Sequence, residues 1–287
     1  MDLVGRCAVV TGGGHGIGRA LAERLARDGA RVVVADVNEA RAAKVADRIG
    51  GRAVPTDVGD PAAVHELVAA AEDAFGPVHV FCSNAGIGDQ GPGLASTPEQ
   101  VGRIVAVNLL AHVWAAEAVV PGMVERGGGY LVQTISSAAL ITGPSGMGYT
   151  LTKHGALGLA EWLALNYSHL GIQVTCLCPN AVNTGMMGRN EDDEESSERR
   201  GDEESSERRG DEELSRKRGD DPVVANIGDV VEPELCADMT LEAMAAGRFL
   251  VLPHPRVGAS FLRKAGDYDR WLEGTNRRLR RMHGEDV

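Results

Sequence analysis

The sequence predicts an α/β fold, in which one doubly wound domain holds a seven-stranded, mostly parallel sheet with helices on both faces. Two observations predict it. Runs rich in β-branched residues alternate with segments of helical periodicity along most of the chain. Glycine or polar residues follow the ends of several strand-like runs, which is where ligands bind in parallel sheets. Right-handed connections between successive units then make the strands parallel.

The strands and helices follow one another without a break through the first 252 residues. A length of 287 residues would allow one or two domains, but this alternation predicts a single domain over 1–252 and a helical extension over 253–287. Strand-like runs bounded by glycine or aspartate lie at 6–11, 31–35, 52–56, 78–82, 129–135, 172–178 and 248–252. Helical patterns lie at 17–28, 38–49, 61–75, 98–126, 148–170 and 229–246.

The first strand leads into a glycine-dense turn. Apolar residues 7–10 precede TGGGHGIG at residues 11–18, and a helical pattern follows from Ala20 to Ala26. Glycines between a strand and a helix let the main chain approach a pyrophosphate, whose charge lies at the helix N-terminus. The turn therefore predicts a dinucleotide site, although its spacing is TGxxxGxG instead of GxGxxG.

Tyr149 and Lys153 form a second signal, with Ser136 thirteen residues before the tyrosine. In a helix over 148–170, the phenol and the ammonium share one face, one turn apart. A free tyrosine ionises near pH ~10, and a nearby positive charge favours its phenolate. The spacing therefore predicts a proton-transfer pair in which Lys153 lowers the pKa of Tyr149. Ser137 is the competing hydroxyl, and the thirteen-residue spacing favours Ser136.

Together, the glycine turn, the YxxxK pair and the upstream serine resemble the classical short-chain dehydrogenases/reductases. The resemblance extends from about residue 5 to 184 and, less specifically, through 252. In the loop at 179–184, Asn180 stands where the family usually has glycine. Four more segments carry the resemblance: Ser83-Asn84-Ala85-Gly86 resembles the family's NNAG, Asn108 its catalytic asparagine, Asp57-Val58 the pair that flanks the adenine, and PNAVNT at 179–184 the PGxVxT loop around the nicotinamide.

The resemblance implies a Rossmann-like enzyme that interconverts a secondary alcohol and a ketone or aldehyde by hydride transfer. Tyr149 would exchange the substrate proton, and Ser136 would hydrogen-bond the substrate oxygen. Lys153 would hold the nicotinamide ribose, and Asn108 would hold a water that links Lys153 to solvent. The implied cofactor-binding residues are Gly12, Gly14, His15, Gly16, Ile17, Gly18, Asp36, Val37, Asp57, Val58, Asn84, Ala85, Gly86, Tyr149, Lys153, Pro179, Val182 and Thr184.

Asp36 at the end of the second strand indicates NAD as the cofactor. A carboxylate there accepts both ribose hydroxyl protons of NAD and repels the 2′-phosphate of NADP. Positions 15 and 37 are His and Val, so neither Arg nor Lys offsets that charge. The alternative is that Asp36 only caps the local backbone.

Two other functional classes remain open. A nicotinamide-sensing regulatory protein would keep the cofactor turn, but it has no need of Ser136, Tyr149 and Lys153 together. An epimerase or dehydratase of the extended branch would also use tyrosine and lysine with retained NAD, yet that branch usually has TGxxGxxG and a larger C-terminal domain. A turnover screen separates these classes.

Composition and charge bound the partners and the location. A formal net charge of −12 disfavours nonspecific attraction to nucleic acid or anionic membrane. The sequence has no run of about 18 consecutive apolar residues for spanning a bilayer. The N-terminus enters the first strand without the layout of a secretory signal. We therefore expect a cytoplasmic enzyme acting on a small-molecule alcohol or carbonyl substrate.

No metal site is expected from the cysteines and histidines. The five cysteines fall mostly in strand-like apolar runs and form no CxxC or Cys/His grouping. His79, His112, His154 and His169 are scattered without ligand spacing. We interpret the cysteines as small buried hydrophobic residues and the histidines as structural.

Two helical patterns carry more apolar surface than a sheet-covering helix needs. Residues 109–120 are apolar nearly all round, and 156–165 are broken only by Glu161. These faces and the family resemblance predict a homodimer or homotetramer, with burial inside one subunit as the alternative. After Leu252, residues 268–282 predict an amphipathic helix that docks on its own or a neighbouring subunit, with a membrane or nucleic-acid contact disfavoured.

Residues 193–219 hold three tandem nonapeptides, DEESSERRG, DEESSERRG and DEELSRKRG. From 189 to 221 there are 15 acidic and 8 basic residues, a net charge of −7, and Leu214 is the one large apolar residue. Nine residues advance a helix by about 900°, so successive copies face opposite sides and form no apolar stripe. Composition thus predicts a disordered charged insertion over 189–221, with a protein-docking or acidic-tail role as the alternative.

Overall fold

The structure, a computed structural model, describes residues 2–89, 93–184, 230–282 and 284. Within them, seven strands form one sheet in the order β3-β2-β1-β4-β5-β6-β7, and every adjacent pair is parallel. The strand order reverses between β1 and β4, which opens a crevice at their carboxyl ends. The strands are β1 Cys7–Thr11, β2 Arg31–Asp36, β3 Arg52–Pro55, β4 Val78–Ser83, β5 Gly129–Thr134, β6 Ile172–Leu177 and β7 Leu250–Val251.

Helices cover both faces of this sheet, as the sequence predicts, and the α/β doubly wound fold is confirmed. Most connections in the described chain run from a strand through a helix to the next parallel strand. In the described part of the chain the α-helices are α1 Gly16–Arg27, α2 Glu39–Ile49, α3 Pro61–Phe75, α4 Pro98–Val105, α5 Ala111–Glu125, α6 Met147–Tyr167, α7 Pro233–Ala245, α8 Pro255–Gly266 and α9 Tyr268–Met282.

The alternation of side chains along each strand creates two hydrophobic cores. In β1, Cys7 and Val9 belong to the core under α3, α5 and α6. Ala8 and Val10 belong to the core under α1, α2 and α7. All four residues are fully buried. Because successive strand residues point to opposite faces, an unbroken apolar run is what a strand covered on both sides requires.

The helical pattern at 98–126 is interrupted in the structure. Ala106–Leu110 forms a π-helical turn between α4 and α5, a feature that often marks functional sites. By length and composition alone, the run Pro98–Glu125 would suffice to cross a membrane, yet half of its most apolar window is buried inside the protein. The helix α5 packs on α3 and on the central strands β4 and β5. It is therefore a core helix of this fold.

The C-terminal residues form two helices that pack beside the sheet. Val257 of α8 is buried in the core that α3, α5 and α6 cover. The ammonium of Lys264 is also buried, donates a 2.9 Å hydrogen bond to the carbonyl of Leu140, and lies 5.4 and 5.1 Å from the ring centroids of Tyr268 and Trp271. The predicted amphipathic helix at 268–282 is present as α9, and these contacts lie within its own subunit.

The predicted strands agree with the observed ones within a few residues, and the largest differences lie at the edges of the sheet. The strand predicted at 248–252 shortens to Leu250–Val251, and the helix predicted at 148–170 ends at Tyr167 in a 3₁₀ turn. The charged insertion at 189–221 lies outside the described residues. The described chain resumes at Val230 beside the loop it left, because Val182 and Val231 form a parallel bridge.

Candidate active site

The glycine turn between β1 and α1 is built by close approaches of the main chain. Gly12 and Gly16 have φ values of 60° and 52°, which favour glycine. A Cβ on Gly18 would overlap the carbonyl oxygen of Gly12. The amide of Asn84 donates hydrogen bonds to the carbonyls of Thr11 and Gly12, 3.0 and 3.3 Å away, and so ties the turn to the end of β4. The turn thus leaves no room for a side chain at Gly12, Gly16 or Gly18 and presents its backbone to the crevice.

A cleft of about 240 Å³ opens at this crevice. Among the predicted site residues, Gly14 and Asn108 do not line it. Gly14 instead donates its N–H to Asp36, and Asn108 lies fully buried behind the wall. The predicted residues that do line it are Gly12, His15, Gly16, Ile17, Gly18, Asp36, Val37, Asp57, Val58, Asn84, Ala85, Gly86, Ser136, Tyr149, Lys153, Pro179, Val182 and Thr184.

Asp36 ends β2 with its carboxylate held in place by backbone donors. The N–H groups of Gly14 and Asn38 donate to its two oxygens at 3.0 and 2.9 Å. Burial would raise the pKa of Asp36, but the His15 imidazole 3.9 Å away and the hydrogen bonds from Asn38 and Gly14 outweigh it, so the pKa of Asp36 is lowered. The carboxylate is therefore ionised and faces the cleft as a fixed acceptor. These contacts also fit the capping role that the sequence left open.

Asp57 lies at the far end of the same cleft in an ion pair that the sequence analysis missed. Arg103 of α4 binds it in a bidentate manner, with both N–O distances 3.0 Å. The hydrogen bonds from Arg103 and from the Gly59 N–H lower the pKa of Asp57. A bidentate guanidinium fixes the plane of a carboxylate as well as its position. Arg103 also lines the cleft and so forms part of its wall.

Tyr149 and Ser136 meet at the centre of the carboxyl edge. Tyr149 lies in the first turn of α6, and both it and Ser136, which is 8% exposed, line the cleft. Burial raises the pKa of Tyr149, and the nearby Ser136 hydroxyl offsets part of that rise. The protein alone thus keeps the phenol protonated. This differs from the expectation that Lys153 lowers the phenol pKa, because burial of the phenol is the stronger effect here.

Lys153 lies one turn further along α6 and is buried almost completely. Its ammonium donates to the carbonyl of Thr134 at 3.2 Å and lies 5.5 Å from the centroid of the Tyr149 ring. Burial lowers the pKa of Lys153 from 10.5 to about 8. The predicted helical spacing therefore does bring phenol and ammonium onto one face. At pH 7 the Lys153 amine is therefore mostly protonated, and it places a positive charge close to the Tyr149 ring.

Asn108 occupies the π-helical turn and holds a loop from β4. Its side-chain oxygen accepts from the N–H of Ile87, and its amide donates to the carbonyl of Ile87, both at 2.8 Å. If Gly86 carried a Cβ, that atom would lie 3.5 Å from the Asn108 side-chain oxygen and 3.6 Å from the Lys153 ammonium. The two groups therefore lie on the same side of Gly86. The structure therefore places Asn108 next to the predicted catalytic group, with its amide engaged by the backbone.

Asp89, from the loop after β4, is a further residue that the sequence analysis missed. Its carboxylate accepts the backbone N–H of Tyr149 at 2.9 Å. The helix α6 begins at Met147 and has no capping bond from the side chain before it. Asp89 therefore caps this helix from outside and fixes the turn that carries Tyr149. No spacing in the sequence connects a residue 60 positions away to that helix.

His254 is a third missed residue, and it comes from the chain after β7. Its Nδ1 accepts the N–H of Asn180 at 3.1 Å, and its Nε2 lies 3.0 Å from the carbonyl of Ala181. An Nδ1 that accepts is unprotonated, so Nε2 carries the proton that reaches Ala181. His254 thereby clamps the predicted nicotinamide loop. On the other side of this loop, the Ser137 hydroxyl donates to the Asn180 side-chain oxygen at 3.1 Å.

The arrangement provides the groups needed for proton transfer beside a bound dinucleotide. A backbone turn at a helix N-terminus suits a pyrophosphate, and a buried carboxylate suits ribose hydroxyls. Between them and the far wall lie a phenol, a hydroxyl and an ammonium. In the described residues, no group of three or more His, Cys, Asp or Glu side chains is arranged to hold a metal ion. The five cysteines are buried and unpaired.

Comparison with known proteins identifies relatives over most of the chain. Residues 6–195 match the family model described as short chain dehydrogenase. A 1-deoxy-11-beta-hydroxypentalenate dehydrogenase of Streptomyces exfoliatus is 40% identical over 196 residues, 65% of this chain and 71% of that protein. A cyclohexanol dehydrogenase of Acinetobacter is 35% identical over 195 residues, 66% of this chain and 78% of that protein.

Solved structures show the same architecture. A short chain dehydrogenase/reductase of Burkholderia phymatum in complex with NAD has a TM-score of 0.76 and 31% identity, with 94% of this chain and 96% of that chain covered. A 3-ketoacyl-(acyl-carrier-protein) reductase of Brucella melitensis complexed with NADH has a TM-score of 0.71 and 26% identity, covering 88% and 98% of the two chains.

Proposed function

Since this chain belongs to the short-chain dehydrogenase family and is an oxidoreductase acting on hydroxyl or carbonyl groups, we propose that it interconverts a secondary alcohol and a ketone or aldehyde with NAD. The observation that carries this proposal is the convergence of Ser136, Tyr149 and Lys153 at the cofactor cleft. The relatives from Streptomyces exfoliatus and Acinetobacter are named for a hydroxypentalenate and for cyclohexanol, both alcohols.

The residues that line the cleft fit a nicotinamide dinucleotide. The turn around Gly16 receives the pyrophosphate, and Asp36 receives the adenosine ribose. Asp57, held by Arg103, lies where the adenine would be flanked. The loop from Pro179 to Thr184 borders the nicotinamide half. Bound NAD supplies a hydride acceptor in the oxidation direction and leaves the proton chemistry to the protein.

Tyr149 is the general acid or base of the proposed reaction. Its phenol exchanges the proton of the substrate oxygen, and Ser136 holds that oxygen through a hydrogen bond. Burial raises the pKa of Tyr149 in the protein alone, so a further positive charge is required to favour the phenolate. Lys153 and a cationic nicotinamide ring supply it. Asn108 lies beside Lys153 and would hold the water that returns protons to solvent.

The test is turnover of secondary alcohols with NAD, followed by formation of NADH at 340 nm. We expect activity in the wild type and a loss of about a thousandfold in kcat for Tyr149→Phe, which removes only the phenolic oxygen. NAD should bind the variant with unchanged affinity, as measured by calorimetry. Tyr130→Phe is the matched control, since Tyr130 lies in β5 outside the cleft lining. Retained turnover in Tyr149→Phe would falsify the assignment.

The preference for NAD over NADP rests on Asp36. The ionised carboxylate of Asp36 repels a 2′-phosphate. The Cβ of Arg41 lies next to Gly14, and the guanidinium of Arg41 would attract a 2′-phosphate instead. We expect Asp36→Asn to lower the ratio of kcat/KM with NAD to that with NADP by about tenfold or more. Glu39→Gln removes a nearby exposed acid and should leave the ratio unchanged. Equal kcat/KM with the two cofactors in the wild type would contradict the proposal.

A homodimer or homotetramer remains part of the proposal. On the described surface of α6, Trp162 and Leu165 are 52% and 80% exposed, and Leu151 is 60% exposed. Such large apolar side chains on one helix suit an interface between subunits. Light scattering of the wild type and of Trp162→Ala/Leu165→Ala tests this, and a monomeric wild type would contradict it.

A further inference from the structure

A second cavity lies next to the cofactor cleft and is about four times larger. It has a volume of about 950 Å³ and opens between the segment 141–145 after β5 and the helices α8 and α9. Asn180 lines both cavities, and its hydrogen bond with Ser137 forms part of the wall between them. Anything bound in this cavity therefore lies beside the loop that borders the proposed nicotinamide position.

Four arginines line this cavity, which we name the arginine groove. Arg256 and Arg263 lie seven residues apart on α8, and Arg270 and Arg278 lie eight apart on α9. Both spacings place the paired residues on one face of their helix. Two helices that face each other thus direct guanidinium groups into one space.

The positive charge of the groove is largely uncompensated within the described chain. No carboxylate there lies within ion-pairing distance of Arg256, Arg270 or Arg278, and Arg263 donates to the hydroxyl of Ser260 at 2.9 Å. The one acidic residue of the described lining, Asp267, accepts the backbone N–H of Arg270. In a chain of net charge −12, such a cluster makes a local positive field.

The walls of the groove also carry apolar surface. Ile141 and Pro144 line the side that belongs to the segment after β5, and Val257 and Trp271 line the side of the C-terminal helices. Guanidinium groups bind carboxylates and phosphates in a planar, bidentate way. A small molecule with an apolar body and one anionic group matches both features, and the volume suits such a ligand.

We propose that the arginine groove binds the anionic end of the substrate, so that the enzyme prefers secondary alcohols or ketones that carry a carboxylate or phosphate on an apolar body. This inference rests on the proposed function and specifies its substrate class. The carbonyl end of such a substrate would lie at Ser136 and Tyr149, on the other side of the Ser137–Asn180 pair, and the charged end would lie between α8 and α9.

The test compares hydroxy acids with their own methyl esters. The probes are secondary alcohols such as 4-hydroxycyclohexanecarboxylate and longer-chain hydroxycarboxylates, each paired with its ester, and the matching phosphate esters form a second arm. With NAD and the full-length wild type, we expect at least one acid to exceed its ester in kcat/KM by about tenfold. High salt should weaken that preference, since the arginines are exposed.

Arg270→Gln/Arg278→Gln is the informative variant. It should raise KM for the preferred acid about five- to tenfold, because exposed ion pairs are screened by solvent, and leave kcat/KM for the ester unchanged. Arg277→Gln is the matched control, because Arg277 lies on the same helix, pairs with Glu273 and does not line the groove. Thermal melts confirm that the variants fold.

The outcomes separate this inference from the proposed function. If esters and other neutral alcohols are turned over and no acid is preferred, or if Arg277→Gln acts as strongly as the double variant, the arginine groove is not the anion site. If nothing is turned over, the proposed function fails. In that case, Trp271 fluorescence tests the groove alone. Quenching by the acids that is absent with the esters and absent in Arg270→Gln/Arg278→Gln supports the groove as an anion site. Equal quenching by acid and ester overturns it.

Discussion

The cofactor cleft and the arginine groove meet at Asn180, yet they are built in opposite ways. The cleft is made largely of main chain and of side chains from the loops after strands and from α6, and its tightest contacts lie between glycines and neighbouring backbone. The charged wall of the groove is made of exposed side chains on two helices that come after the last strand, and the segment after β5 forms the opposite wall. The cleft offers a closely defined shape, whereas the groove offers charge that solvent screens.

This difference explains where substitutions act. A Cβ placed in the glycine turn has nowhere to go, because the main chain around it is fixed by the sheet. A substitution in the groove changes one exposed contact and leaves the backbone unchanged. Under the proposed assignments, chemistry and cofactor binding would depend on a few positions that tolerate no change, and substrate preference would depend on several positions that tolerate many changes.

Gly18→Ala in the glycine turn has the largest expected effect and tests whether the main chain of the cleft tolerates an added atom. A methyl group there would overlap the carbonyl of Gly12, so the turn must open. We expect affinity for NAD to fall about tenfold to a hundredfold, measured by calorimetry, because the backbone donors to the pyrophosphate shift and a hydrogen bond to a charged group is worth about 1.5–3 kcal/mol.

Gly102→Ala provides the control for this substitution. Gly102 lies exposed in α4 with no atom near the added methyl group. It should bind NAD normally and gain about 0.5–1 kcal/mol in free energy of unfolding. A Gly18→Ala protein with wild-type NAD affinity would show that the turn is more tolerant than its contacts indicate.

His254 holds the loop at Asn180, where the cleft and the groove meet. Replacing it tests how far the cleft depends on this loop. His254→Phe keeps an aromatic ring but loses both hydrogen bonds to the Asn180–Ala181 backbone. The loop beside the proposed nicotinamide position then loosens, and we expect KM for NAD to rise about tenfold with a smaller effect on kcat. His254→Gln retains an acceptor and a donor and should recover part of the loss. If His254 only stabilises the fold, both variants should have a lower melting temperature, and KM for NAD should change no more than kcat does.

The smallest predicted effect concerns stability. Burial lowers the pKa of Lys153 from 10.5 to about 8, so below pH 8 the folded state holds a buried charge that the unfolded state exposes to water. Lys153→Met should therefore stabilise the cofactor-free protein by about 1–3 kcal/mol at pH 7. The loss of the hydrogen bond to Thr134 offsets part of this gain.

The sign of the pH dependence follows from the same pKa. Between pH 8 and 10.5 the unfolded state binds more protons at Lys153 than the folded state does, so the free energy of unfolding of the wild type rises with pH relative to the variant. Urea unfolding at pH 7 and pH 9 measures this. A stability difference between Lys153→Met and wild type that stays constant across that range would contradict the burial argument.

The fold was predictable because its signals are local. The period of the apolar residues marks β1 and α1 before any contact is known, and the glycine turn between them is a pattern within eight residues. The meeting of Tyr149 and Lys153 is likewise a helical spacing. For the same reason, most residues of the cleft could be named from sequence motifs, although Gly14 and Asn108, which the motifs also named, do not line it.

The remainder of the site depends on contacts between distant segments. Asp89 reaches Tyr149 across 60 residues, and His254 reaches Asn180 across 74. Arg103 pairs with Asp57 across 46. No local period encodes such pairs, since they form only when the sheet has brought separate loops to one edge. The raised pKa of Tyr149 was also missed, because spacing shows which charges are near but not how deeply a group is buried.

The attachment of the C-terminal helices has a consequence for how this enzyme could diversify. Lys264 and His254 fasten residues 253–282 to loops after β5 and β6, while the proton-transfer groups come from α6 and the segment after β5. If the arginine groove holds the substrate as proposed, exchanging residues 253–282 for the corresponding segment of another protein should change the accepted alcohol and leave Ser136, Tyr149 and Lys153 in place. A C-terminal segment attached in this way would let evolution, or protein engineering, change substrate selectivity by replacing one contiguous segment.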